Sequence, residues 1–249
     1  MSTNTLAALV AERAGQQNVE RQHRTRTLTG RARPPLITVA GGPKVGKSYA
    51  IAEAAADPRV ARVRLVEVGG DRGAADEYGA IPGVADRLEL IEHDNTWADV
   101  AAAVQQAVAQ PPVDVDGHDV LAIDGATSLW ALLSRHAQRG GRDIGPGGWA
   151  AVNAAWDDLL DVLRTHPGPV VLTARTDAAG LVGDELGRVR TQKDLAFEAD
   201  VVVQATGHRA FTLVGARTLA LAHAEVSLPL GLGDLVLADL LDLLTGGGA

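Results

Sequence analysis

A short segment near residue 41 has the residue types and spacing of a phosphate-binding loop, G-x-x-x-x-G-K-[ST]. Its eight residues are Gly41, Gly42, Pro43, Lys44, Val45, Gly46, Lys47 and Ser48. Glycines let a backbone pass close to phosphates, and successive N–H groups can then bind the anion. In this pattern Lys47 would contact the β- and γ-phosphates, and the Ser48 hydroxyl would ligate Mg²⁺. The segment therefore predicts a site for a nucleoside triphosphate with Mg²⁺.

The residues around the loop supply the elements that must position it. The apolar run 36–40 is typical of a buried strand, and the alanine-rich run 49–56 is typical of a helix. A helix that begins at the loop would add the partial positive charge of its N-terminus to the phosphate site. We therefore expect a strand, the loop and a helix in that order, with Tyr49 next to the bound nucleotide.

Asp124 is the predicted carboxylate ligand of Mg²⁺. It ends the apolar run 120–123, which is typical of a buried strand, and Gly125 follows it. In phosphate-loop proteins an acidic residue of this kind holds the metal ion. We expect its strand to lie directly beside the strand that precedes the loop. The alternative is that Asp124 only caps a helix that begins near Ala126.

Hydrolysis would also need a carboxylate that positions water. Residues 63–68 are predicted to form the second strand, and the segment after it offers candidates. Asp71 follows the end of that strand and is the first choice, and Glu77 is the second. For each of them a solvated loop carboxylate is the alternative. Glu67 lies inside the strand and is expected to point into the structure.

Two further residues at a strand end are candidates for sensing the γ-phosphate. Thr173 and Arg175 end the run that begins at Val170. Strand ends at this edge of an open α/β sheet face the ligand. An ordinary surface arginine is the alternative for Arg175. Lys193, taken by itself, would be a solvated lysine.

Composition restricts the classes of function. The chain has 249 residues, a formal net charge of −8 and no cysteine. The absence of cysteine excludes disulfides, thiolate catalysis and zinc–cysteine sites. The acidic charge argues against a general nucleic-acid coat protein, because phosphate binding depends on Lys and Arg. With no evident signal peptide and no apolar run of membrane-spanning length, we expect no membrane association and a cytoplasmic location.

The order of patterns predicts two regions. Residues 1–33 are predicted to form a short helix and a basic arm, and residues 34–249 are predicted to form one domain. The arm is either a solvated linker, which is favoured, or a contact for DNA or a partner. From residue 36 onward strands and helices alternate, which predicts an α/β fold with a mostly parallel sheet and helices on both faces. Hairpins after residue 199 predict antiparallel strands at the C-terminal edge, with a turn at 206–209.

Taken together, these motifs resemble those of the RecA-like P-loop ATPases carried by bacteriophages. Besides the loop, the matching segments are residues 75–81, 92–97, 123–125, 172–175 and 188–193. The resemblance covers roughly residues 35–220, and it rests on the order of these segments. One position departs from the family, because this chain has Gly70 and Asp71 where related sequences often carry a glutamate. The shorter carboxylate would weaken hydrolysis or shift the base elsewhere, which implies slow turnover or a nucleotide used mainly as a switch.

The resemblance implies a RecA-type core that binds and hydrolyses ATP with Mg²⁺. It also implies a homo-oligomer that acts on single-stranded DNA in phage recombination, annealing or replication, together with other replication or recombination proteins. ATP would lie between subunits, and Lys193 would reach the γ-phosphate bound by the neighbouring subunit. Residues 135–142 and 176–190 would contact DNA. For a phage-encoded protein the location would be the cytoplasm of the host cell.

Two other functions remain open at the level of sequence. A small-molecule or nucleotide kinase would need clustered arginines to hold the transferred phosphoryl group, and arginine is scarce between residues 143 and 163. A scaffold that binds ATP without hydrolysing it, and then engages replication partners, would agree with the departure at Asp71. Phosphate transfer to a small acceptor would identify the kinase, and tight ATP binding without turnover would identify the scaffold.

Overall fold

A computed structural model of the protein describes residues 27–29, 32–70, 72–113, 116–138, 144–176, 189, 191–192 and 194–245. Contacts within the chain divide it into Met1–Arg31 and Ala32–Ala249, and the elements below all belong to the second unit. The predicted N-terminal helix and most of the basic arm lie outside the described residues. The predicted boundary between residues 33 and 34 therefore stays a prediction.

The described residues form strands and helices in alternation. The strands are β1 (Leu36–Gly41), β2 (Val60–Glu67), β3 (Leu88–Leu90), β4 (His118–Asp124), β5 (Val170–Arg175), β6 (Val201–Gly207), β7 (Ala210–Ala216) and β8 (Leu230–Gly233). The helices are α1 (Lys47–Ala54), α2 (Trp97–Ala109), α3 (Ala126–Ala137), α4 (Gly145–Leu163), α5 (Leu195–Glu198), α6 (Leu219–His223) and α7 (Leu237–Thr245), with a 3₁₀ helix at Ala74–Ala80. In this part of the chain, no helix is both long enough and apolar enough to cross a membrane.

The strands form one sheet in the order β3-β2-β4-β5-β1-β6-β7-β8. Neighbours from β3 to β6 run parallel, whereas β7 and β8 are antiparallel additions at the C-terminal edge. The predicted fold class is confirmed. One detail of the prediction was wrong, because β5 lies between β1 and β4. A strand that comes later in the chain thus lies between two earlier strands. The residues of β4 do not indicate which strand pairs with it.

The sheet separates two apolar cores, since alternate residues of a strand point to opposite faces. Ile37 and Val39 of β1 join one core with α1 and α7, and Leu36 joins the other with α2, α3 and α4. The second core contains Trp156 of α4, which is 1% exposed and packs edge-on against Trp130. Helices therefore cover both faces and hold the strand ends in place.

A buried cluster of charged and polar side chains connects β2, β4 and the segment before β5, at a distance from the phosphate loop. Arg64 of β2 is fully buried, and its Nη2 donates to both carboxylate oxygens of Asp119 in β4, at 3.1 and 3.2 Å. The same nitrogen lies 2.7 Å from Nε2 of His166. Its Nη1 donates to the Ala107 carbonyl at the end of α2. The pairing permits an arginine in the core, because an unpaired buried charge would be very costly.

His166 makes the stability of the protein dependent on pH. Burial lowers the pKa of His166, and the positive charges of Arg64 and Arg62 lower it further. Although burial opposes ionisation of Asp119, hydrogen bonding from Arg62 holds the pKa of that carboxyl below its usual range. Since Nε2 accepts from Arg64, protonation of His166 would bring two donors together. A histidine with a lowered pKa stabilises the fold fully above about pH 6.5, and this stabilisation is lost as the pH falls.

We therefore expect the free energy of unfolding to fall between pH 7.5 and pH 5.5. Urea denaturation at several pH values measures it, with His166→Gln as the test variant and His136→Gln, at an exposed site in α3, as the control. The His166 variant should be less stable at pH 7.5 and should lose less on acidification. Equal pH dependence in all three proteins would contradict this role of His166.

Candidate nucleotide-binding site

The predicted phosphate loop connects β1 to α1, as the sequence indicates. β1 ends at Gly41, and α1 begins at Lys47. The connection turns sharply, because Lys44 and Gly46 have left-handed φ angles of 57° and 102°. A Cβ added at Gly41 would lie 2.7 Å from Cβ of Ala205 in β6, so this position needs glycine. The loop therefore lies tightly against the neighbouring strand.

Lys47 directs its ammonium group back over the start of the loop. Its Nζ donates to the Gly42 carbonyl at 2.6 Å and to the Gly41 carbonyl at 3.2 Å. Ser48 is the second residue of α1 and is partly buried. The ring of Tyr49 meets the ring of Tyr78 edge-on, with 6.1 Å between centroids. Contact of these residues with a nucleotide stays a prediction.

Asp124 ends β4 and is held by a buried threonine from the neighbouring strand. Thr173, which is 2% exposed, donates from Oγ1 to Oδ1 of Asp124. The same hydroxyl accepts the N–H of Gly125 at 2.9 Å. The capping alternative for Asp124 was wrong, since Gly125 occupies the N-cap of α3 and no side chain caps it. Thr173 thus orients the carboxylate, a role that its position at a strand end alone did not indicate.

The donor types of Ser48 and Asp124 fit a magnesium ion. They offer a hydroxyl and a carboxylate, the hard oxygen donors that Mg²⁺ prefers. Among the described residues there is no group of three or more His, Cys, Asp or Glu side chains that could hold a metal ion. Mg²⁺ usually binds to one or two protein oxygens and completes its coordination with phosphates and water, so binding of the metal by Ser48 and Asp124 stays a prediction.

Thr173→Val tests the link between β5 and Asp124. Valine keeps the shape but removes the hydroxyl, which leaves the Gly125 N–H without its acceptor. We expect the free energy of unfolding to fall by about 1–3 kcal/mol, because a donor at this site loses its hydrogen bond. Urea denaturation measures the loss. Thr165→Val, at an exposed position just after α4, is the control, and an equally small effect of both substitutions would contradict the assignment.

Glu67 is a buried carboxylate whose place beside the site was not predicted. It is the last residue of β2, is 5% exposed and pairs in register with Asp124 of β4. Its oxygens accept the N–H groups of Gly73 at 2.6 Å and Ala75 at 2.9 Å. Burial raises the pKa of Glu67, and the nearby Asp124 contributes to the rise. Glu67 therefore points into the structure, as expected, and it fixes the start of the 3₁₀ helix.

The turn after β2 is also held by the segment that precedes α2. Nε2 of His93 lies 2.8 Å from the Glu67 carbonyl, and Oδ1 of Asn95 accepts the N–H of Gly69 at 3.0 Å. A Cβ added at Gly69 would lie 2.6 Å from Oγ of Ser128 in α3. Segment 92–97, one of the segments behind the family resemblance, thus holds the turn that follows β2. Asp71, the first choice for positioning water, comes directly after this turn.

The remaining predicted residues differ in how far the structure describes them. Glu77 lies on the exposed side of the 3₁₀ helix. Arg175 ends β5 in register with Gly41, and its N–H donates to Oγ1 of Thr127 at 2.9 Å. Asp71 and Lys193 lie outside the described residues, as do most of the two predicted DNA-binding segments. The catalytic roles of Asp71, Glu77 and Lys193 stay predictions.

Tyr78 of the 3₁₀ helix packs against Tyr49 of α1, near the acidic residues of β2 and β4. Burial raises the pKa of Tyr78, and the carboxylates of Asp124, Glu77 and Glu67 raise it further. The Tyr78 hydroxyl therefore stays protonated at neutral pH, and it lies in the negative field that these carboxylates create.

Comparison with known proteins places the chain in a family. A family model described as an AAA domain matches residues 33–226. No curated protein matches the chain. Solved structures with a similar fold include an ATPase from the type III secretion system of pathogenic bacteria, with 14% identity and a TM-score of 0.47 over 77% of this chain and 53% of that one.

Two other solved structures have comparable scores. The RadB recombinase has 16% identity and a TM-score of 0.43, over 74% of this chain and 81% of that one. A DnaB-like replicative helicase has 12% identity and a TM-score of 0.47, over 87% of this chain and 62% of that one. The chain thus spans about half of the secretion ATPase and less than two thirds of the helicase. Because the AAA model covers more than half of its residues, the chain belongs to the AAA domain family and carries a domain of the P-loop ATPase type.

Proposed function

We propose that the protein binds ATP with Mg²⁺ at the phosphate loop and hydrolyses it. One observation carries this proposal: the loop after β1 and Asp124 at the end of β4 lie where the parallel strands end, and Thr173 of the intervening strand holds the carboxylate. In open α/β sheets ligands bind at the edge where the parallel strands end.

Each residue of the site has a defined part in this proposal. Lys47 and the N-terminus of α1 would stabilise the negative charge of the β- and γ-phosphates. Ser48 and Asp124 would hold Mg²⁺, which when bound neutralises part of the phosphate charge. Asp71 or Glu77 would orient the attacking water. Thr173 keeps the Asp124 carboxylate in one orientation, and Glu67 holds the turn that leads to the 3₁₀ helix.

The proposal extends to single-stranded DNA and to a homo-oligomer with ATP between subunits. Its support is the RecA-like order of the motifs, together with the exposed Arg135 and His136 at the end of α3. Basic side chains of this kind position proteins on phosphate backbones. Lys193 would then act on the ATP of the neighbouring subunit, and the setting would be phage recombination, annealing or replication, with replication or recombination proteins as partners.

Steady-state ATP hydrolysis, measured with and without single-stranded DNA, tests the proposed function. We expect DNA to raise the rate and omission of Mg²⁺ to abolish it. Mixing Lys193→Ala with Asp124→Asn tests whether the sites lie between subunits, since only a mixed interface would combine an intact metal site with an intact lysine. Recovery of activity that neither variant has alone would support the shared site.

Other outcomes would identify the alternatives. ATP binding without turnover, with or without DNA, would contradict hydrolysis and favour the ATP-dependent scaffold. Transfer of the γ-phosphate to a small acceptor would favour a kinase. A DNA-independent hydrolysis rate that still needs Lys47 would keep the ATPase and remove DNA from the proposal.

A further inference from the structure

The turn between β6 and β7 packs directly against the phosphate loop. The N–H of Arg209 donates to the Val45 carbonyl at 3.0 Å. Nδ1 of His208 lies 3.3 Å from the Lys44 carbonyl. A Cβ added at Gly46 would be 3.4 Å from Cγ of Arg209, so the stem of this arginine lies beside the loop. The loop therefore receives donors from a part of the chain more than 160 residues away.

These contacts meet a requirement of the loop itself. When successive N–H groups of a loop point inward to an anion, its carbonyl groups point outward and need donors of their own. The Lys44 residue also has a left-handed φ of 57°, a conformation that non-glycine residues rarely adopt and that surrounding contacts must hold. The β6–β7 turn supplies donors to the carbonyls of Lys44 and Val45, the residues just before Gly46.

The side chain of Arg209 links the loop to two other elements. Its Nε and Nη2 donate to the two carboxylate oxygens of Asp234, at 2.8 and 3.0 Å. Its Nη2 lies 3.6 Å from Oε2 of Glu53 in α1, and its guanidinium carbon lies 4.5 Å from the ring centroid of Tyr49. Hydrogen bonding to Asp234 and to Tyr49 raises the pKa of Arg209, so the guanidinium stays charged.

Arg209 thus holds the segment that contains Lys47 and Ser48 from both ends. Its backbone contacts Val45 before them, and its side chain covers Tyr49 after them. A paired and planar guanidinium with two hydrogen bonds to one carboxylate has a defined orientation, which a single point charge would lack.

We propose that Arg209, oriented by Asp234, is a positioning residue that sets the shape of the phosphate loop and thereby its affinity for the triphosphate. This inference rests on the proposed function, because it concerns how the same loop binds ATP. Arg209 would act without contacting the phosphates. The antiparallel strands at the C-terminal edge would then be part of the nucleotide site.

Two measurements on the full chain test the inference. Hydrogen exchange of the backbone amides in residues 42–48, except Pro43, reports the order of the loop in the protein without nucleotide. Titration with a fluorescent ATP analogue gives the Kd. The variants are Arg209→Ala and Asp234→Asn. Arg164→Ala is the matched control, because Arg164 also forms ion pairs with two carboxylates, Asp161 of α4 and Glu198 of α5, and follows α4, away from the loop.

We expect faster exchange at 42–48 and a Kd higher by about tenfold in Arg209→Ala, with a smaller change of the same sign in Asp234→Asn. Exchange in β2 and β4 should not change, because partly exposed ion pairs contribute little to global stability. The Arg164 control should match the wild type in both measurements. Arg209→Lys should resemble the alanine variant, since lysine keeps the charge but cannot form the paired contact.

The outcomes separate this inference from the proposed function. Wild-type exchange and wild-type Kd in both variants would overturn the positioning role and leave ATP binding intact. Full recovery in Arg209→Lys would also overturn it, because charge alone would then suffice. A wild-type protein that binds no ATP would refute the proposed function, and the exchange of residues 42–48 would still decide whether Arg209 orders the loop. Should Arg209→Ala fail to fold, Asp234→Asn supplies the same comparison.

Discussion

Lys47→Ala is expected to lower the rate of ATP hydrolysis by at least about 100-fold, since one preorganised charge at a developing negative charge has an effect of this size. The ammonium of Lys47 lies over the loop and donates to the carbonyls of Gly41 and Gly42. Alanine removes the charge that would stabilise the γ-phosphate during transfer. Steady-state hydrolysis at saturating ATP and Mg²⁺ gives the rate, and circular dichroism shows whether the variant folds.

Arg217→Ala is a suitable control for the loss of a positive charge. Arg217 is exposed and follows β7. It lies at the end of the strands opposite to the phosphate loop, where its N–H donates to the Asp200 carbonyl. We expect the control to hydrolyse ATP at the wild-type rate. A Lys47 variant that folds and retains more than about a tenth of the wild-type rate would contradict the role of the loop, since that loss is only about 1.4 kcal/mol of barrier.

Asp124→Asn is expected to reduce hydrolysis by about 100-fold at millimolar Mg²⁺, because the neutral amide lacks the charge that would hold the cation. The substitution keeps the size of the side chain and leaves an oxygen that can accept from Thr173. The loss should therefore arise in metal binding and leave the fold unchanged. Hydrolysis measured as a function of Mg²⁺ concentration should show a requirement for much more Mg²⁺, while ATP binding in the absence of Mg²⁺ stays close to wild type.

Asp158→Asn provides the matched control, since Asp158 is exposed on α4. The control should have the Mg²⁺ dependence of the wild type. An Asp124 variant with unchanged Mg²⁺ dependence would place the metal ligand elsewhere. Glu67, which pairs in register with Asp124, would then be the next carboxylate to replace.

The parts of the candidate site that depend on neighbouring residues could be recognised from sequence. The phosphate loop is recognisable because its glycines, Lys47 and Ser48 lie within eight consecutive residues, and the flanking patterns correctly indicate a strand and a helix. Asp124 stands out because a lone carboxylate ends an apolar strand. The alternation of elements gave the parallel sheet, and the late turn at 206–209 gave the antiparallel edge, as observed.

The parts that depend on distant residues were not predictable. Thr173 can form its hydrogen bond to Asp124 only because β5 lies beside β4 in the sheet. The sequences of the two strands do not indicate that they are neighbours. The contact of His208 with the loop spans 164 positions. Arginine is usually found at the surface, and only the pairing of Arg64 with Asp119 explains why this arginine is buried. In each case the missing information was the identity of a partner.

The insertion of β5 between β1 and β4 also sets the width of the site. Hydrogen-bonded strands lie about 4.8 Å apart, so the ends of β1 and β4 are separated by roughly 10 Å, and only a different strand order would change this by a whole strand spacing. Substitutions in the two apolar cores can alter stability while the distance between the loop and Asp124 stays the same. We therefore expect substitutions within the cores to affect the stability of the fold more than the distance between the loop and Asp124. Fine adjustment is left to the length and orientation of the side chains at the strand ends.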